Sequence, residues 1–145
     1  MRTYPIKQEE FWEVFSERME EHYTKSREYF RKCYSNNKKW TKYLTKMLVD
    51  IGEKDLHVAA IEKEYWPRLD ISFFDRQGSN WDKWAMEVGI EIENDFYSCV
   101  DELRKLMLIN CGLKVLITYY QKDQNVIDDL LKKFKIVYDS RKISY

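Results

Sequence analysis

The segment at residues 69–94, LDISFFDRQGSNWDKWAMEVGIEIEN, decides the fold of this 145-residue chain. Its two ends, residues 69–75 and 84–93, are rich in apolar, β-branched and aromatic residues, and residues 76–80 between them favour a turn. The preceding segment, residues 56–66, has the same texture and ends at Pro67. Because the connections are short, we expect these three strands to form an antiparallel meander.

Helical patterns lie on both sides of this meander. Before it, an apolar stripe that recurs every fourth residue predicts one long helix over residues 7–34. A second helix is expected between a break at Asn36 and a stop at Gly52. After the meander, Asn94 and Asp95 are suited to cap a third helix, which begins at the end of the last meander strand.

The end of the chain adds a fourth strand and a last helix. Residues 113–120 form a mostly apolar run, which is typical of a buried strand, and Asp123 is suited to cap the helix that follows. A short tail strand is expected at residues 136–138. We therefore predict an α/β fold with a mixed central β-sheet flanked by helices, in the order α-β-β-β-α-β with an extra N-terminal helix and a C-terminal helix.

Length and composition predict one globular domain over residues 1–145. The expected parts are N-terminal helices at 1–52, a sheet core with its crossover helix at 56–120, and a C-terminal helix and tail at 123–145. Lys and Arg number 25, as do Asp and Glu, so the formal net charge of +0 excludes a strongly basic DNA-coating protein.

Cysteine usage and hydropathy bear on the compartment. The three cysteines are an odd number without a C-x-x-C pair, so neither a disulfide framework nor a zinc site is expected. The first residues carry no apolar leader segment, and no apolar run has the length of a membrane span. We expect a protein of the reducing cytoplasm with no membrane partner.

Three carboxylates are the candidate chemistry of this chain. Asp70 lies near the start of the second strand, and Glu91 and Glu93 lie on one face near the end of the third. Ile90 and Ile92 then face the core. Converging carboxylates repel one another unless a proton or a cation neutralises them, and a hard divalent cation takes oxygen ligands. The alternative is a solvated strand face, which produces the same alternation of apolar and charged residues.

The order of elements, with Asp70 in RLDIS and Glu91 in IEIEN, resembles the PD-(D/E)XK nuclease superfamily, which is restriction-endonuclease-like. The resemblance covers roughly residues 8–120, mostly as topology. It implies a Mg²⁺-dependent or Mn²⁺-dependent endonuclease that hydrolyses phosphodiester bonds in nucleic acid, with DNA as the expected substrate. It also implies that Asp70, Glu91 and the backbone carbonyl of Ile92 bind the metal.

One position departs from the superfamily pattern. The pattern has a Lys where this chain has Glu93, so the sequence reads E-x-E-N. Some restriction endonucleases of the superfamily carry Glu there and remain active. Glu93 is then expected to act as a general base or as a second metal ligand. Lys63 or Lys114, on neighbouring strands, are candidates for the missing ammonium group.

Basic residues supply the candidate nucleic-acid contacts. Arg68, two residues before Asp70, is a candidate phosphate ligand. The second helix and its entry carry a lysine cluster interleaved with the aromatic residues Trp40 and Tyr43, as in surfaces that bind a phosphate backbone. The lysines of this candidate surface are Lys38, Lys39 and Lys42. The alternative for these charges is a solvated helix face.

Two readings of function remain open from the sequence. The first is the metal-dependent nuclease, which would use a homodimer to cut both strands of a duplex. The second is a non-catalytic module that binds nucleic acid or protein and has kept the nuclease fold without its chemistry. The neutral formal charge favours the second reading slightly, and the acidic residues at the strand ends favour the first.

Overall fold

In the computed structural model, which describes residues 4–63, 68–75, 85–118 and 123–142, a four-stranded mixed sheet is flanked by helices. This confirms the predicted α/β fold class. The elements are α1 (Gln8–Lys25), α2 (Arg27–Tyr34), α3 (Asn37–Asp50), β1 (Ala59–Glu62), β2 (Ile71–Asp75), β3 (Ala85–Glu93), α4 (Cys99–Met107), β4 (Leu113–Thr118) and α5 (Gln124–Lys142).

The N-terminal region holds three helices, so the prediction of one long helix over residues 7–34 was wrong. The helix ends at Lys25, and Ser26, with a φ of -135° and a ψ of 45°, separates α1 from α2. The break predicted at Asn36 is confirmed, because its side chain caps α3 by accepting a hydrogen bond from the Lys39 amide at 3.1 Å. Apolar periodicity alone did not reveal the change of direction at Ser26.

The predicted stop at Gly52, after the helix that the structure shows as α3, was wrong. The chain continues from α3 into a π-helical turn, Ile51–Asp55. A Cβ atom at Gly52 would lie only 2.8 Å from Cε1 of Phe73 and 3.0 Å from Cβ of Ala60. The glycine is therefore needed for close packing of this turn against β1 and β2, and its role is steric.

The sheet has the strand order β1-β2-β3-β4. The first three strands are antiparallel, which confirms the predicted meander, and β4 is parallel to β3. The strands are shorter than predicted where the structure describes them, since β1 begins at Ala59 and β2 at Ile71. The predicted turn at residues 76–80, and the predicted strand ends at 64–66, 84 and 119–120, lie outside the described residues.

A crossover connects the parallel strands β3 and β4. It starts with a 3-10 turn, Phe96–Ser98, in which the Asp95 carboxylate accepts a hydrogen bond from the Tyr97 amide at 3.0 Å. It continues through α4, which packs against both strands. A parallel pair requires such a crossover, and helix α4 therefore covers the sheet face between the strands that it joins.

The predicted tail strand at residues 136–138 was wrong, because α5 continues through it to Lys142. Leu130 is buried with Phe96 and Cys99 of the crossover, and Phe134 packs against the same cluster. The side chains of Ile136 and Tyr138 are exposed at other positions of the helix surface. Their apolar character suggested a strand, although the helical spacing of Leu130 and Phe134 anchors the segment as a helix.

Both faces of the sheet are covered. The main core contains Phe73, Val88 and Ile90, each 0% exposed, together with residues of α1 and α3. Leu69 and Leu106 form a smaller core on the side of α4. Within the described ranges, no helix has the length and apolar character needed to cross a membrane.

Candidate functional site

Glu91 is a buried carboxylate in the interior of the fold. It lies on β3, and only 2% of its surface is exposed. Ile90 and Ile92, its neighbours in the strand, are buried in the main core, as predicted. Glu91 instead meets the α4 side, so the solvated strand face considered as an alternative is wrong for this residue. An ionised carboxylate in such a position requires compensation.

Lys105 of α4 provides part of that compensation. Its Nζ atom lies 2.5 Å from Oε1 of Glu91 and 3.4 Å from Oε2 of Glu102. Oε1 of Glu91 is paired by distance with this ammonium group, but it has no partner in hydrogen-bond geometry in the part of the chain that the structure describes. This oxygen therefore keeps a lone pair for a further cation or a proton.

Asp70 lies beside Glu91, immediately before β2 begins. Its Oδ2 atom accepts a hydrogen bond from the backbone N–H of Ile92 at 2.8 Å, and its own carbonyl accepts one from the N–H of Lys63 at 3.2 Å. These bonds attach Asp70 to the strands on both sides of β2. Two of the three predicted acids, Asp70 and Glu91, are thus adjacent, as the strand order predicted.

The pKa of Glu91 is strongly shifted. Burial is the largest cause, the hydrogen bond and the charge of Asp70 add to it, and Lys105 opposes the shift without overcoming it, so that the pKa rises from 4.5 to about 8. Burial lowers the pKa of Lys105, but its close pairing with Glu91 and the charge of that carboxylate outweigh burial and raise it. The raised pKa of Glu91 favours a neutral carboxyl group, whereas the raised pKa of Lys105 depends on an ionised Glu91. Because Glu91 is almost fully buried and Lys105 is 34% exposed, the raised pKa of Glu91 governs the pair.

Glu93 is directed towards the end of the strand. Its Oε1 atom accepts a hydrogen bond from the backbone N–H of Asp95 at 2.7 Å, at the entry to the crossover. Glu87, on the same strand, accepts a bond from the N–H of Ile6 at 3.2 Å. In the described ranges, no group of three or more His, Cys, Asp or Glu side chains is arranged to hold a metal ion. The close acidic pair is Asp70 and Glu91.

The predicted basic contacts include one exposed arginine before β2 and three lysines that line two neighbouring clefts. Arg68 is exposed just before Asp70, in a backbone conformation with a φ of 53°. Lys38 and Lys42 line a cleft of about 770 Å³, which we call the sheet-end cleft. Lys39 lines a second cleft of about 740 Å³, which we call the helical cleft.

Trp40 takes no part in either surface. It is only 6% exposed and belongs to the main core, where its ring stacks on Tyr43 with centroids 5.7 Å apart. The expectation that Trp40 shares the surface of the lysine cluster was therefore wrong. Although Trp40 lies next to lysines on the helix, its large apolar side chain is buried in the main core.

Lys105 is the residue that the sequence reasoning missed. The candidates for the missing ammonium group were Lys63 and Lys114, but the one on Glu91 comes from the crossover helix. A signal did exist, because Lys105 precedes the buried Leu106 on a helix that must lie across β3. Helical periodicity alone does not specify which strand residue such a lysine meets.

No protein-family model matches this chain, and neither does a curated protein or a solved structure. The order of the elements and the cluster of Asp70, Glu91 and Lys105 are therefore the features that bear on function.

Proposed function

We propose that this protein is a metal-dependent nuclease that hydrolyses phosphodiester bonds in nucleic acid, with DNA as the expected substrate. The observation that carries the proposal is the pair of carboxylates on neighbouring strands, Asp70 and Glu91, with the ammonium group of Lys105 beside them. The antiparallel meander followed by a crossover to a parallel strand supports it, because this order was the basis of the resemblance to the PD-(D/E)XK nucleases.

The donor set suits Mg²⁺ or Mn²⁺. Mg²⁺ is usually held by one or two carboxylates, with waters and substrate phosphates filling the other positions. Asp70 and Glu91 supply two carboxylates, and Oε1 of Glu91 has no partner in hydrogen-bond geometry among the described residues, although the ammonium group of Lys105 lies 2.5 Å away. The backbone carbonyl of Ile92 is the third protein ligand that the resemblance implies. When bound, the metal would lower the pKa of a coordinated water and offset the charge of the phosphate.

The remaining residues have separate roles. The N–H of Ile92 holds the carboxylate of Asp70 in place. The ammonium group of Lys105 supplies the positive charge that the superfamily pattern has at the position of Glu93, and it stabilises negative charge on the phosphate. Arg68, exposed at the entrance to β2, contacts a neighbouring phosphate. Glu93 serves as general base through its second carboxylate oxygen, because Oε1 accepts the hydrogen bond from the amide of Asp95.

Incubation of the protein with supercoiled plasmid or single-stranded DNA tests the proposal. We expect cleavage with Mg²⁺ or Mn²⁺, no cleavage in EDTA, and loss of cleavage in Asp70→Asn and Lys105→Met. The control is Asp101→Asn, which removes an exposed carboxylate of the same helix and should leave cleavage unchanged. A folded wild-type protein that cleaves neither DNA with either metal contradicts the proposal.

A non-catalytic binding module is the second candidate, and one observation favours it. The ion pair between Lys105 and Glu91 already places a positive charge beside the acids. If this charge replaces the metal, isothermal titration with Mn²⁺ should give no binding at millimolar concentrations. The nuclease requires Mn²⁺ binding that disappears in Asp70→Asn.

We also propose a reducing, cytoplasmic location, which the free Cys33, Cys99 and Cys111 support.

A further inference from the structure

The sheet-end cleft opens at the same end of the sheet as the candidate site. Its walls include Lys38 and Lys42 of α3, Lys63 after β1, and Asn94 after β3. The backbone N–H of Lys63 donates to the carbonyl of Asp70 at 3.2 Å, which attaches one wall directly to the site. Asn94 directly follows Glu93, and its amide donates to Oγ1 of Thr41 on α3 at 2.5 Å.

The helical cleft continues from the sheet-end cleft on the other side of the same lysines. Lys42 and Lys46 line both clefts, so they form a shared ridge. Beyond this ridge the helical cleft is lined by Lys32 and Lys39, by His22, and by Tyr29 and Tyr43. The two clefts have volumes of about 770 and 740 Å³ and share Lys42 and Lys46 as walls, and we call the two clefts together the path.

This path concentrates positive charge in a chain that is neutral overall. Its acidic lining residues are Asp50, which pairs with Lys54 at 3.0 Å, and Glu62. In the ranges that the structure describes, the lysines of the path form no ion pair with a carboxylate. These lysines are Lys32, Lys38, Lys39, Lys42, Lys46 and Lys63.

Aromatic rings are available at the far end of the path. Tyr29 is 61% exposed, and its ring centroid lies 6.0 Å from that of Tyr43. The hydroxyl of Tyr43 is bonded to Nδ1 of His22 at 2.5 Å, which fixes that ring in the wall. A positively charged groove with aromatic rings is the arrangement by which proteins bind single strands, because bases stack on the rings while lysines contact phosphates.

We propose that the two clefts together bind a single strand of nucleic acid and lead it to the end of the sheet at which Asp70 lies. This inference rests on the proposed function, because the single-stranded nucleic acid would be the substrate of the nuclease. A single strand is favoured over a duplex because the path runs through two clefts and ends at the exposed ring of Tyr29. Base faces are accessible for stacking on Tyr29 in a single strand and are hidden in a duplex.

Fluorescence anisotropy with a labelled oligothymidylate of about 12 nucleotides, in EDTA to prevent cleavage, tests the path. Lys42→Gln combined with Lys46→Gln should weaken binding at least about tenfold. It should also reduce the slope of log K against log salt by about 1.4, since each phosphate contact of a single strand contributes about 0.7. Lys7→Gln combined with Lys132→Gln, both exposed and outside the clefts, is the matched control and should change neither value.

A second pair of variants tests stacking separately from charge. Tyr29→Ser should weaken binding about tenfold, whereas Tyr29→Phe, which keeps the ring, should bind like the wild type. Thermal melting of each variant checks that it is folded. Normal binding by the Lys42 and Lys46 variant overturns the path, and so does a duplex of the same length that binds as tightly as the single strand.

The path and the proposed function fail in different ways. If the wild type cleaves DNA but the cleft variants bind the single strand normally, the path is wrong and the nuclease stands. If the cleft variants lose binding but the wild type never cleaves with Mg²⁺ or Mn²⁺, the path stands and the chain is a binding module.

Discussion

Glu91 is the residue at which burial, charge and proposed function meet. Only 2% of its surface is exposed, and its pKa is raised to about 8 although the ammonium group of Lys105 lies 2.5 Å away. The proton and the ammonium are two ways of compensating the same group, and the pH decides between them. Metal binding would be a third way, which requires the proton to leave.

The stability of the metal-free protein should therefore depend on pH. The folded chain holds a proton on Glu91 up to about pH 8, whereas the unfolded chain releases it near 4.5. Stability should fall as the pH rises between these values, by at most about 1.4 kcal/mol for each unit of the pKa difference. Melting temperatures in EDTA should decline from pH 5 to pH 8 in the wild type and less steeply in Glu91→Gln. Parallel profiles would contradict the raised pKa.

Replacement of Lys105 should change the stability of the fold little at pH 6 and lower it at pH 9. At pH 6, Glu91 is protonated and Lys105→Met removes little. At pH 9, the variant leaves a buried carboxylate without its counter-charge, which should destabilise the fold by roughly 1–3 kcal/mol, less than for a fully buried pair since Lys105 is partly exposed. Urea unfolding at both pH values measures this, with Arg104→Met, an exposed neighbour, as the control. An equal loss at both pH values would argue against the pair.

The sequence predicted part of this cluster and not the rest. Asp70 and Glu91 were predicted to converge because strand order and alternation fix which residues become neighbours across a meander. Glu93 shares their alternation, but its carboxylate bonds to the amide of Asp95, a choice made by the local chain at the strand end. Lys105 required knowledge of how α4 lies over β3, which depends on tertiary packing.

Among the elements, the π-helical turn at Ile51–Asp55 makes the closest approach to the sheet. Gly52→Ala should destabilise the protein by about 1–3 kcal/mol, because the added Cβ overlaps Cε1 of Phe73. Glu53→Ala, in the same turn but exposed, is the control and should change stability little. Urea unfolding compares them, and equal stability of the Gly52 variant and the wild type would show that Phe73 moves aside.

Element order was easier to predict than element ends. The change from a period near four residues to alternation marked where helices give way to strands. The break at Ser26 has no glycine or proline to mark it. The segment around Ile136 remains helical because Leu130 and Phe134 dock on the crossover, a long-range contact that no local pattern contains.

At the scale of the molecule, the proposed metal site links ligand binding to the stability of the whole fold. A cation that binds the folded chain alone stabilises it by RT ln(1 + [L]/Kd), which is about 1.4 kcal/mol at ten times Kd. Mg²⁺ or Mn²⁺ should therefore raise the melting temperature of the wild type. Above pH 8, where Glu91 is ionised, Asp70→Asn should raise the melting temperature of the metal-free protein by relieving repulsion, and it should abolish the effect of the metal. Equal effects of Mn²⁺ on both proteins would rule out this site.

The position of Lys105 on the crossover also has a consequence for how the chain assembles. The two carboxylates come together when β2 pairs with β3, whereas the ammonium group arrives only when α4 docks. A folding intermediate with the meander formed and the crossover undocked would hold both acids without their counter-charge. Protonation is then the remaining way to relieve the repulsion. The route of folding, as well as the final equilibrium, should thus be sensitive to acid.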